Sequence, residues 1–159
     1  MKISNTCNYS QEVDSIINTY KDETFLKKKM EALGSRNVDV EVKGKGNKVT
    51  VTITREVPVD APSTIKKFLS SWNKLTQIEE WSINKGKSSN AKITIDIQGV
   101  PAKISGVLKI KAIDSGCISN CDMEIKSSIP FLGRTIANFV GETTSMSIDN
   151  EFDYIGKNA

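Results

Sequence analysis

Arg55 and Glu79 are the two charged residues whose positions in the chain point toward an interior. Arg55 continues the alternation of Val49, Val51 and Ile53, and Glu79 shares a face with Trp81 and Ile83, since residues two apart on a strand lie on one side of a sheet. If the two segments pair antiparallel, Arg55 and Glu79 are expected as cross-strand neighbours. An inward ion pair is costly unless it is well hydrogen-bonded. A guanidinium in that position also suits bidentate binding of a carboxylate or phosphate. The plainer reading puts both residues at the rim of the sheet, where a wet pair contributes little.

The sequence contains no histidine, which removes the commonest general base and the commonest transition-metal ligand. Glu79, Tyr9 and Cys121 are the expected inward residues with acid–base potential, and no spacing joins them into a nucleophile, a base and an orienting group. No catalytic residue is assigned. Cys117 and Cys121 form a C-x3-C pair with Cys7 far away, and three thiolates would bind zinc only with a fourth ligand from elsewhere. Both fall on one face of an expected strand, where cysteine behaves as a small hydrophobe, so neither a metal nor a cofactor is assigned. No G-x-G-x-x-G or P-loop spacing occurs, and Gly99, Gly106 and Gly133 read as backbone devices.

Composition narrows the class further. The formal net charge is only +3, and the lysines around Lys27–Lys29, Lys43–Lys48, Lys66–Lys67 and Lys85–Lys87 are interleaved with carboxylates. They read as solvated faces rather than the basic stripe of a nucleic-acid binder. No apolar run approaches the roughly 20 residues of a membrane span, and Met1 to Thr6 lacks the apolar stretch of a signal peptide. A cytoplasmic protein without stable membrane insertion is expected.

The 159 residues suit one domain over 1–159 that buries a core without disulfides. Lys2 to Tyr9 reads as a strand. Ser10 and Asp22 are expected to cap two short helices, the second stopped by Gly34. Val38 to Val42 and Val49 to Val57 alternate around a Gly-rich turn as a hairpin. Pro62 is expected to open an inserted helix from Ser63 to Trp72 with Ile65, Phe68 and Leu69 as its stripe. Strands resume over Leu75–Ile83, Ala91–Ile97, Ala102–Ile113 and Cys117–Ile129. From Arg134 to Tyr154 the period becomes helical, for a length of about 30 Å. Its apolar stripe is diluted by Asn138, Ser145, Ser147 and Asn150, as suits a helix beside a cavity. The fold class is α+β: a curved antiparallel sheet of about seven strands wrapped around a long C-terminal helix.

That order resembles the helix-grip fold of the START-like, or SRPBCC, superfamily, which includes polyketide cyclases, pollen allergens and lipid-transfer domains. Within it the chain is similar to a bacterial family known as domain of unknown function 2505. The residues that carry this are Arg55-Glu56-Val57-Pro58, Glu80-Trp81, Gly99-Val100-Pro101 with Gly106 and Leu108, and Ile129-Pro130 with Leu132-Gly133 and Ile136. Relatives often carry an acidic residue where Ala137 stands, and no role for it is carried over.

The resemblance implies a non-catalytic carrier or sensor for a small, mostly hydrophobic molecule held between the sheet and the last helix. The expected wall is Val51, Ile53, Trp81, Ile93, Ile95 and Ile104, continued by Leu108, Met123, Ile125, Ile136 and Val140, with Arg55 and Glu79 as polar anchors. These apolar positions are also the core if no cavity exists. Two alternatives stay open: a cyclase-like or hydrolase-like enzyme using Glu79 and Arg55, and a co-chaperone-like interaction module that docks through a sheet edge or through the inserted helix, with Trp72 exposed at its end.

Overall fold

A computed structural model describes residues 1–159. Seven strands, β1 (Lys2–Tyr9), β2 (Arg36–Lys45), β3 (Lys48–Pro58), β4 (Trp72–Ser82), β5 (Ser88–Ile97), β6 (Lys103–Ile113) and β7 (Gly116–Lys126), form one antiparallel sheet in the order β1-β7-β6-β5-β4-β3-β2. Two short helices, α1 (Val13–Thr19) and α2 (Glu23–Ala32), link β1 to β2, and α3 (Gly133–Asn158) follows the sheet. This is the expected α+β helix-grip arrangement. No helix is long and apolar enough to cross a membrane.

The strands form where β-branched residues alternate with polar ones. On β3 the inward Val49, Val51, Ile53 and Arg55 are all buried, and on β7 so are Cys117, Ser119, Cys121, Met123 and Ile125. Cys117 and Cys121 lie four residues apart on one strand, hence about 13 Å apart along it, too far to share a metal ion. Burial pushes the Cys117 thiol up to about 11 and the Cys121 thiol up to about 12. They are thiols packed as apolar groups.

Helix ends follow local chemistry. The Asp22 carboxylate accepts from the Phe25 amide at 3.0 Å and caps α2. At the other end Gly34 takes φ +97°, and the Ser35 and Gly34 amides return to the carbonyls of Met30 and Glu31, a glycine-terminated stop. Ser10 does not cap α1: the N-cap is Glu12, without a side-chain cap bond.

The inserted helix is a correction. Between β3 and β4 only Lys66–Phe68 forms a single 3-10 turn. Ile65 alone of the expected stripe is fully buried, and Phe68 and Leu69 reach the core only in part. Asn73 instead clamps the loop, its side chain accepting from the Ser70 amide at 2.9 Å and donating to the Ser70 carbonyl at 2.7 Å. Trp72 starts β4, half-buried, with the Arg36 guanidinium 3.9 Å from its ring centroid. Likewise β7 ends at Lys126, because Ile129 to Leu132 make a turn closed by the Gly133 amide on the Ile129 carbonyl at 2.8 Å.

The helices cover the concave face unevenly. α3 packs chiefly against β1 and β7, α2 against β2, and α1 against β6. The long helix therefore leans toward one edge of the sheet, and the central strands are only partly covered.

Candidate ligand cavity

The uncovered part of the concave face is a cavity of about 320 Å³. Its floor is the inward row of β5, Ile93, Ile95 and Ile97, continued by Ile104 and Leu108 of β6 and by Cys121 and Met123 of β7. The roof is α3, from Phe139 and Val140 to Ile148 and Phe152. Ile95, Ile97 and Leu75 point inward and yet are only half-buried, because the space in front of them is empty. The ends of α3 are tight, with Ile136, Val140, Phe152 and Ile155 buried, whereas Thr143 to Glu151 between them contains no fully buried residue. Leu33 at the end of α2 and Met146 on α3 line the opening and are exposed, Met146 at 68%. Thr143 and Asn150 are exposed lining residues beside them, so the rim is mixed.

One wall is charged. On β4 the inward side chains Gln77, Glu79 and Trp81 are consecutive on one face, and Glu79 accepts from both neighbours: Gln77 Nε2 at 2.7 Å and Trp81 Nε1 at 2.8 Å. Burial pushes the Glu79 carboxyl above its ordinary range, opposed by the Lys29 charge and these two bonds. Opposite it, Lys29 of α2 is 1% exposed, and its ammonium lies 2.7 Å from Glu151 Oε2 of α3 and 5.4 Å from the Tyr20 ring centroid. Burial raises Glu151, but Lys29 and Arg55 outweigh it and hold the carboxyl below its ordinary value.

Arg55 is the fourth charge. It is 4% exposed and its Nη1 has no hydrogen-bond partner. Burial disfavours its charge, and the Glu151 and Glu79 carboxylates support it from a distance. The expected direct pairing with Glu79 does not form. Val51 stands opposite Glu79, Ile53 opposite Gln77, and Leu75 opposite Arg55, so the two are offset by four residues along the strands. Both face the cavity nonetheless.

Residues 4–157 match the family described as Protein of unknown function (DUF2505). The chain belongs to that family. Among curated proteins none matches. The architecture of this DUF2505 member is also found in solved structures. TTHA0849 from Thermus thermophilus is similar with TM-score 0.69 at 9% identity, covering 99% of this chain and 95% of that one. Ms6760 from Mycobacterium smegmatis gives 0.60 at 12%, covering 98% and 88%. Ara h 8.0201 gives 0.60 at 10%, covering 99% of both chains.

Of the expected wall positions in this DUF2505 protein, Arg55, Glu79, Ile93 and Ile95 line the cavity, and so do Ile104, Leu108, Met123 and Val140. Val51, Ile53, Trp81, Ile125 and Ile136 are not among the lining residues; all five are buried in the core. Lys29 and Glu151 were missed: Lys29 reads from sequence as part of a solvated cluster. A signal existed. Leu26, Lys29, Met30 and Leu33, like Ile148, Glu151, Phe152 and Ile155, stand at i, i+3, i+4 and i+7, the spacing of one helix face. Each charge sits inside an apolar stripe.

Proposed function

We propose that this DUF2505 protein is a non-catalytic carrier or sensor that encloses a small, mostly apolar molecule between the sheet and α3. The carrying observation is the inward, half-buried group Leu75, Ile95 and Ile97 beside about 320 Å³ of space under α3. Apolar side chains left facing a void forgo contacts that a ligand would restore. A space of that size lies at the lower end of the range of small-molecule sites. Nineteen of the thirty lining residues are hydrophobic, so contact area rather than polar bonding supplies the affinity. The resemblance to the START-like superfamily, with its lipid-transfer members, agrees with this reading.

The alternatives draw less support. Each oxygen of Glu79 already accepts an N–H, which leaves a general base poorly placed. An interaction surface on the inserted helix loses its basis, since that helix is a single turn and Arg36 lies over Trp72.

Native mass spectrometry of the freshly purified protein, followed by solvent extraction and uptake of a naphthalene-based fluorescent probe, tests the proposal. A discrete bound mass or 1:1 probe uptake is expected. Absence of both would overturn it.

A further inference from the structure

The geometry points to a ligand that is an amphiphile with a single carboxylate head, received by the Arg55 guanidinium, with its apolar body along Ile93, Ile95 and Ile97. This rests on the carrier reading and adds the chemistry of the cargo. Arg55 is 4% exposed, lines the cavity, and keeps a buried Nη1 with no partner. A buried donor left without an acceptor carries its full desolvation cost, the more so when it is charged. No internal acceptor removes that cost. Glu79 is occupied by Gln77 and Trp81, and Glu151 by Lys29 and, at 3.5 Å, by Ser147. The acceptor that fits is therefore one that arrives from outside.

The charges around the site limit what it is. Lys29 pairs with Glu151, so these two balance each other. Glu79 is the remaining anion, and its two oxygens are engaged by Gln77 and Trp81 rather than by Arg55. One guanidinium with no hydrogen-bonded anion of its own then faces the cavity, which suits one negative charge. A doubly charged phosphate would leave an excess anion beside two carboxylates. A guanidinium fork matches a carboxylate in two parallel bonds. Arg55 lies in register with Leu75 and Ile97, at one end of the row Ile97, Ile95 and Ile93, so a head bound at Arg55 leaves the tail to run along that row.

The test uses matched probes on the full chain by titration calorimetry: decanoate against decan-1-ol, and 1-naphthylacetate against 2-(1-naphthyl)ethanol. The wild-type protein is expected to bind at least one acid about ten- to a hundredfold more tightly than its alcohol, the range of a charge-assisted hydrogen bond. Arg55→Met is expected to bind acid and alcohol equally. Arg55→Lys, which keeps the charge and loses the fork, is expected to fall between. Equal binding of acids and alcohols by the wild type would overturn the carboxylate assignment and leave the carrier reading standing. A preference that survives in Arg55→Met would overturn the role of Arg55. If none of the four probes binds, the carboxylate assignment falls; if native mass spectrometry and the naphthalene probe also find nothing bound, the carrier reading falls with it. Should Arg55→Met fail to fold, the wild-type pairs and Arg55→Lys still decide.

Discussion

A lysine ammonium withdrawn from water costs several kcal/mol unless it is paired, and Lys29 answers that cost with the Glu151 carboxylate at 2.7 Å and the Tyr20 ring at 5.4 Å. Removing one partner strands the other. Lys29→Met is expected to lower unfolding stability by about 3 kcal/mol in urea denaturation at neutral pH, and Lys29→Met/Glu151→Met to recover most of it. The pair also fixes a pH dependence. Glu151 is held below its ordinary 4.5, so its contribution is present above that value and is lost as pH falls through the folded-state value. Glu79 runs the other way. Its folded-state value lies above 4.5, so the folded state binds more protons there, and ionising it erodes stability as pH rises through that value. Glu151→Gln is expected to lower stability at neutral pH, because Lys29 loses its partner, and to flatten the acid limb of a stability-against-pH curve. The inward placement of Arg55 and Glu79 was legible in the sequence because period two fixes the face. Their offset was not, because register depends on the turn between β3 and β4. The Lys29–Glu151 pair joins residues 122 apart, a contact that no local pattern encodes.

At the scale of elements, the strands and the tight turns were legible and the long connection between β3 and β4 was not. Alternation on β3 or β7 reports one buried face directly. The segment from Ser63 to Trp72 carries Ile65, Phe68 and Leu69 at helical spacing, yet only Ile65 is fully buried, while Phe68 and Leu69 pack half-buried against the core. Spacing shows that a helix is possible, and burial decides whether it forms. Gly106 illustrates a constraint of the opposite kind. It faces Met123 across β6 and β7, and a Cβ there would run into the Asp122 carbonyl and the Met123 sulfur. The glycine lets Met123 lie over the strand and toward the cavity. Gly106→Val is expected to cost about 2–3 kcal/mol, since backbone cannot move aside as a side chain can, read as a lower urea midpoint with an unchanged slope. An equal stability would show that the two strands separate there without cost.

For the whole molecule, the diluted stripe of α3 was the sequence feature that carried the most structural information. A helix covering a dry core is apolar along its length, whereas this one is buried at Ile136, Val140, Phe152 and Ile155 and polar or half-buried between them. The void sits under that middle stretch. It persists because α3 is anchored to β1 and β7 at the sheet's edge, so the helix cannot move down onto β5 without giving up those contacts. A cavity held open in this way makes the molecule less stable than its sheet would allow, and filling it should reverse that. Ile95→Phe places extra apolar volume in the empty space, and is expected to raise unfolding stability by about 1 kcal/mol while abolishing uptake of the naphthalene probe. Ile53→Phe, on β3 in the packed core with no exposure, adds the same atoms where no room exists, and is expected to lose about 1–3 kcal/mol. The opposite signs of the two substitutions separate an open container from a filled core. If Ile95→Phe destabilises as Ile53→Phe does, the space above β5 closes in solution and the molecule is not a container.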